Sequence, residues 1–320
     1  MTNPLPYASA DQTVPSPFER AFGAYLGLAV GDALGATVEF MTPSEIRANH
    51  GVHRNLTGGG WLHLKPGQVT DDTQMCLAIG RVLIAKGGWD LRAIADEFVA
   101  WMRSRPVDIG STCRRGIRRY LQDGSLAGKP SEDDGGNGAA MRNLPVVLAT
   151  LTDGALLAER SVAQAHLTHW HAFSDAATVT LAGMTRSLIL GGSLAACRAT
   201  ADSLVARHRA FRFDPWPGRT SGYVVDTLQT VLDGFFHAAT FEECVVTVVN
   251  RGGDADTAGA LAGQLAGARF GVRAIPARWL RRLDPAVYAA IHEQTKRLLA
   301  LAARPTARDP MDAADVVAVS

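Results

Sequence analysis

The chain has 320 residues, a net charge of +1 and 20% charged residues, enough length to bury a full core and too even a balance for a nucleic-acid binder. Its four cysteines, Cys76, Cys113, Cys197 and Cys244, lie far apart with no CxxC pair. That spacing gives no zinc framework and reads as reduced packing thiols in the cytoplasm.

The first seventeen residues carry four prolines but neither a basic start nor a long apolar run, so residues 1–17 read as a flexible leader to one domain over 18–303. Phe18 to about Leu34 has helical spacing, with Gly23, Gly27 and Gly31 recurring every four residues to admit another backbone. No stretch reaches the ~18 uninterrupted apolar residues of a membrane helix, because Asp32 and Glu39 interrupt the best candidate. An acid buried in such surroundings needs a partner such as an ion. Residues 41–69, with Gly58-Gly59-Gly60-Trp61 and Pro66-Gly67, read as one long loop, of the kind that serves as a lid or binding loop.

That loop ends at Thr70-Asp71-Asp72-Thr73, which opens an apolar run through Leu83. Asp90 caps the next helix, which ends near Arg105-Pro106. After the Val107-Asp108-Ile109-Gly110-Ser111 turn comes a short helix with Arg114, Arg115, Arg118 and Arg119, a solvated face or a surface for phosphate or acidic partners. Glu132 to Met141 is a glycine-rich helix entry, where bare N–H groups can receive a diphosphate. Three histidines follow, His166, His169 and His171, at a spacing that fits no common zinc site; capping or substrate contact suits them better.

Ser174 or Asp175 then opens a helix through Leu190, another runs from Leu194 to His208, and Tyr223 leads into an apolar run. Thr240 to Glu243 is a capping box for a helix that delivers Asn250-Arg251-Gly252-Gly253-Asp254-Ala255-Asp256-Thr257. This knot has the grammar of the one at 70–73: hydroxyls and carboxylates in the first turn of a helix, where bare N–H groups favour anions. Close carboxylates repel one another unless a cation sits between them, so two such knots facing each other would hold one or two hard divalent ions. The helix after the second knot repeats Gly259, Gly263, Gly267 and Gly271; packed on the first helix's stripe, it would bring the two knots together near Asp32 and Glu39. Asp284-Pro285 starts a final helix to about Ala302, and residues 304–320 read as a loose tail. Helical period throughout, with no strand alternation, makes the fold all-α and a single domain.

Gly31-Asp32-Ala33-Leu34-Gly35, Thr70-Asp71-Asp72-Thr73, Gly136-Asn137-Gly138, Thr168-His169 and Gly252-Gly253-Asp254-Ala255-Asp256-Thr257 occur in the order they take in the ADP-ribosylglycohydrolase family, which the chain resembles over about residues 18–275. The resemblance implies a helical domain with a cleft for two divalent cations, Mn²⁺ or Mg²⁺, and hydrolysis of the bond between ADP-ribose and an arginine side chain. It implies Thr70, Asp71, Asp72, Asp254, Asp256 and Thr257 as metal ligands, and Glu39 and Asp108 as catalytic carboxylates. Asp108 would face the guanidinium of the target arginine, with Gly110 and Ser111 as further substrate contacts; Gly136, Asn137, Gly138 and His169 would hold ribose and phosphates, with Tyr223 along the adenosine.

Through Leu34 to Met41, Thr57 to Leu62, and Ser104 to Asp108, the resemblance is strongest to bacterial members whose substrate is ADP-ribosylated dinitrogenase reductase, the nitrogenase iron protein. It further implies a PII signalling protein and an ammonium-channel complex as partners, the latter by reversible association with the membrane. Two other readings stay open: a hydrolase of serine-linked or small-molecule ADP-ribose, and a silent ADP-ribose-binding scaffold.

Overall fold

The structure, a computed structural model, describes residues 14–304. Of the expected leader and tail, residues 1–13 and 305–320 lie outside the described residues. Ser16 and Pro17 already belong to the first helix: the Ser16 hydroxyl accepts from the Glu19 N–H at 3.2 Å and the Glu19 carboxylate accepts from the Ser16 N–H at 2.9 Å.

Among the described residues the chain forms fourteen α-helices and no strand. They are α1 (Pro17–Gly35), α2 (Pro43–His50), α3 (Asp71–Lys86), α4 (Leu91–Arg103), α5 (Ser111–Asp123), α6 (Leu144–Ala149) and α7 (Gly154–His166). There follow α8 (Ala172–Ile189), α9 (Leu194–Arg207), α10 (Val224–His237), α11 (Phe241–Val249), α12 (Ala255–Phe270), α13 (Ala277–Leu280) and α14 (Pro285–Ala302). None of them is long and apolar enough to cross a membrane.

α1 and α12 are the axis of the molecule, buried along almost their whole lengths. They run antiparallel and touch backbone to backbone at the expected glycines. A Cβ built on Gly27 would lie 2.1 Å from the Gly263 carbonyl oxygen, one on Gly31 2.0 Å from that of Gly259, and one on Gly35 2.0 Å from that of Ala255. Gly31→Ala must therefore push the helices apart, and we expect it to destabilise the protein by about 3 kcal/mol or more. Gly183→Ala, within α8 and with nothing within 4 Å of the new methyl, should instead stabilise by about 0.5–1 kcal/mol. Urea midpoints of the two variants check the contrast.

Three expectations change. The segment 41–69 is not wholly loop, since Thr42-Pro43-Ser44-Glu45 forms a capping box that starts α2; only Ile46 is buried there, so the apolar pattern is nearly blank. α8 begins at Ala172 rather than after Ser174, because His171 Nδ1 accepts the Phe173 N–H at 3.0 Å; this histidine is a cap. At α11 only half of the expected box forms: Thr240 accepts from Glu243 N–H, while the Glu243 carboxylate reaches Ala239 N–H instead.

Candidate metal centre and active site

The second acidic knot is held from behind by its own first residues. Asn250 exchanges hydrogen bonds with the backbone of His53, and Arg251 pairs with Asp233 and lies 4.1 Å over the Trp216 ring. Gly252 and Gly253 follow with φ of 70° and 64°, values that favour glycine. Each also leaves no room for a side chain, with the Met41 and Thr220 carbonyl oxygens 2.1 and 2.0 Å from where a Cβ would stand. The pair of backbone bonds Phe40 N–H to Gly253 O (2.7 Å) and Gly253 N–H to Met41 O (2.9 Å) ties this turn to the segment after α1. The result brings carboxylate oxygens of Glu39, Asp254 and Asp256 within 4.8 Å of one another.

α3 supplies the other side. Its N-terminus is capped from across the fold by Asp32, whose oxygens accept from Thr70 N–H (3.1 Å), Thr70 Oγ1 (3.0 Å), Thr73 N–H (3.2 Å) and Thr73 Oγ1 (2.5 Å). The partner that buried Asp32 needs is thus a set of four donors from Thr70 and Thr73. Asp71 and Asp72 are then free of capping duty. Asp71 Oδ2 accepts from Gly110 N–H at 3.2 Å, and Asp72 Oδ2 lies 3.3 Å from the Thr257 hydroxyl that donates to it from the start of α12. Asp254, nominally the cap of α12, makes no capping bond either.

Burial, above all, pushes these acids up: Asp71 to about 7 and Glu39 to about 8, with Asp72 and Asp256 well above the usual carboxylate range. Mutual repulsion adds to it, and Asp108 contributes to the shifts of Glu39, Asp71 and Asp254. Trp61 Nε1 donates to Glu39 Oε2 at 2.6 Å and opposes the shift there. Among the described residues no lysine or arginine forms an ion pair with Glu39, Asp71, Asp72, Asp254 or Asp256. Asp72 Oδ1 is buried with no hydrogen-bond partner at all. An all-oxygen donor set with an orphaned carboxylate oxygen and uncompensated negative charge fits a hard divalent cation. Among the described residues no histidine belongs to the possible ligand group.

The remaining expected residues surround this cluster. Asp108 is half-buried at the turn before α5, its Oδ1 accepting the Ile109 N–H, while Ser111 is exposed at the start of that helix. Gly136 pairs as an isolated antiparallel bridge with Tyr223, a residue 41% exposed beside the loop. The loop does not run straight into a helix as expected: α6 starts only at Leu144, and Asn137 N–H is spent on the Gly222 carbonyl. Asn137 Nδ2 donates to Asp254 Oδ2 and, at 2.9 Å, to Thr227 Oγ1, so this side chain orients an acid of the cluster and leaves only its carbonyl oxygen for a ligand. His169 lies buried under the same loop. Trp61, from the 41–69 segment, and Thr73, from the first knot, join the site through Glu39 and Asp32, and nothing in their spacing foretells those pairings.

Acidic helix starts facing one another across a backbone-tight helix pair define a class of protein, and the ADP-ribosylglycohydrolase family profile matches residues 13–308: the chain belongs to that family. It is 57% identical over 290 residues, 91% of this chain and 99% of the relative, to the ADP-ribosyl-[dinitrogen reductase] glycohydrolase of Rhodospirillum rubrum. It is 31% identical over 293 residues, 83% of this chain and 75% of the relative, to the ADP-ribosylarginine hydrolase Tri1 of Serratia proteamaculans. A solved structure described as an ADP-ribosylglycohydrolase-related protein complex superimposes with a TM-score of 0.79 at 34% identity, covering 90% of this chain and 100% of that one.

Proposed function

We propose that this chain is a divalent-metal-dependent hydrolase that removes ADP-ribose from an arginine side chain of dinitrogen reductase. The buried carboxylate cluster without a cationic side chain carries the reading, and the 57% identity to the Rhodospirillum rubrum relative supplies the protein substrate. The Serratia relative's name shares the arginine linkage, which is therefore the broader part of the proposal, and the protein bearing it the finer part.

In this reading Thr70, Asp71, Asp72, Asp254, Asp256 and Thr257, with Glu39 beside them, would hold two cations, Mn²⁺ or Mg²⁺, whose bound chemistry would be to polarise ribose hydroxyls and lower the pKa of a water. Breaking the bond builds positive charge on the sugar while the guanidine leaves neutral, and a proton from the attacking water ends on that guanidine. Glu39, which accepts from Trp61 and lies beside Asp254 and Asp256, takes the water's proton in this proposal. Asp108, at the mouth, pairs with the target guanidinium, a planar fork of donors, with Gly110 and Ser111 beside it. The loop at Gly136, Asn137 and Gly138 takes ribose and diphosphate, His169 a phosphate, and the exposed Tyr223 the adenine.

Incubation with ADP-ribosylated dinitrogen reductase should return the unmodified subunit with Mn²⁺ and not with chelator; no release under either condition would overturn the proposal. Asp108→Asn is expected to lower kcat by at least ~10²-fold while free ADP-ribose, which lacks the guanidinium, binds within about 2-fold of wild type. Turnover and affinity measured on the same variant check this, and unchanged turnover would reduce Asp108 to a turn residue. The reading also brings a PII signalling protein and an ammonium-channel complex as partners, testable by co-purification, and a cytoplasmic location, with which the four buried free cysteines agree.

A further inference from the structure

Arg142 is fully buried, and among the described residues it has no ion-pair partner. Its guanidinium instead lies 4.7 Å over the Phe98 ring, with Nε on Gln164 Oε1 (2.8 Å) and Nη2 on both the Gln164 carbonyl (2.9 Å) and the Thr168 hydroxyl (2.8 Å). A guanidinium only donates, so Thr168 Oγ1 accepts from it. The same hydroxyl lies 2.7 Å from His169 Nδ1. Among the described residues its single hydrogen has that ring nitrogen as its acceptor, since the nearby Cys113 sulfur accepts instead from Arg142 Nη1 at 3.5 Å. The hydrogen therefore goes to Nδ1, and the imidazole carries its own on Nε2.

That Nε2 has no partner among the described residues, on a side chain only 2% exposed. It lies directly beneath the glycine loop: a Cβ on Gly136 would stand 3.0 Å from Nε2, and one on Gly138 3.1 Å. Burial first, and then the charges of Arg142 and Arg115, hold the imidazole well below its ordinary pKa, so it stays neutral.

We infer that Arg142 and Thr168 form a relay that locks His169 in the Nε2–H tautomer, making it a fixed, uncharged donor to an anionic phosphate oxygen of the substrate at the glycine loop. Arg142 and Thr168 are positioning residues in this scheme, and the donor role rests on the ADP-ribose reading above. A neutral donor suits the place, because the ring orientation is set before the substrate arrives and no imidazolium has to be desolvated in the core.

The test uses the full chain with ¹⁵N-labelled histidine, the His169 signals being assigned by their loss in His169→Gln. In wild type the ¹⁵N shifts should show Nε2 protonated and Nδ1 bare; an Nδ1–H tautomer there would overturn the relay whatever the variants do. Thr168→Val, which keeps the shape and removes the hydroxyl, should release the tautomer preference and weaken ADP-ribose binding about 10-fold in calorimetric titration. Thr168→Ser should restore both. A folded Thr168→Val protein with the wild-type tautomer and affinity would also overturn the relay. Wild-type protein that binds no ADP-ribose would overturn the functional reading and the donor role, while the wild-type ¹⁵N pattern decides the lock independently.

Discussion

Asp256→Ala and Asp71→Ala are each expected to abolish hydrolysis, by at least ~10²-fold at saturating Mn²⁺, while leaving the helices folded. Both side chains are buried, yet neither carries much of the fold. Among the described residues Asp256 accepts only the N–H of its neighbour Thr257, and Asp71 only that of Gly110. Removing one negative charge from a cluster whose members raise one another's pKa relieves repulsion rather than opening a gap. Asp32→Ala is the contrasting variant, since it strands four buried donors at the start of α3 and should destabilise the protein itself. Turnover and circular dichroism on all three separate the roles; residual activity in the Asp71 or Asp256 variant would contradict the assignment.

The metal-free protein should lose stability as pH rises from about 4 to about 8. In the unfolded chain Asp71 and Glu39 lose their protons near 3.8 and 4.5, whereas in the fold burial holds those protons up to about 7 and about 8. Across that window the folded state binds more protons than the unfolded one, so each step up in pH favours unfolding. Below it both states are protonated and the penalty vanishes. A divalent cation replaces those protons with its own charge, so the stabilisation by Mn²⁺ should widen from pH 5 to pH 8 and its binding should release protons. Melting temperatures in chelator and in Mn²⁺ at both pH values provide the measurement, and a gap that stays constant would show that these acids are not the ion's ligands.

Much of this arrangement was legible because its cause is local. The glycines at four-residue spacing in α1 and α12 state a close approach, and with two such stripes the pairing and its consequence for the acidic knots follow. The lone carboxylates resisted reading because sequence shows that an acid is buried and not what answers it: Asp32 is answered by Thr70 and Thr73, Glu39 by Trp61 and Asp254 by Asn137. Those contacts join residues up to 117 positions apart, and no periodicity encodes them. α2 was hidden for a different reason. Its capping box is explicit in Thr42 and Glu45, but a helix with one buried side chain has almost no apolar signal to set beside it.

The backbone seam between α1 and α12 also acts as a ruler. Where side chains separate two helices, substitution can adjust their offset gradually; where carbonyl meets glycine at every fourth residue, the next comfortable offset is four residues away, about 6 Å along the axis. That step exceeds the distances among the Glu39, Asp254 and Asp256 oxygens, which all lie within 4.8 Å of one another. The acid cluster therefore exists in one helix register and is dismantled in the next, and fine adjustment of the distance between its two sides is left to the turns at 36–41 and 250–254, which the seam delivers but does not contain.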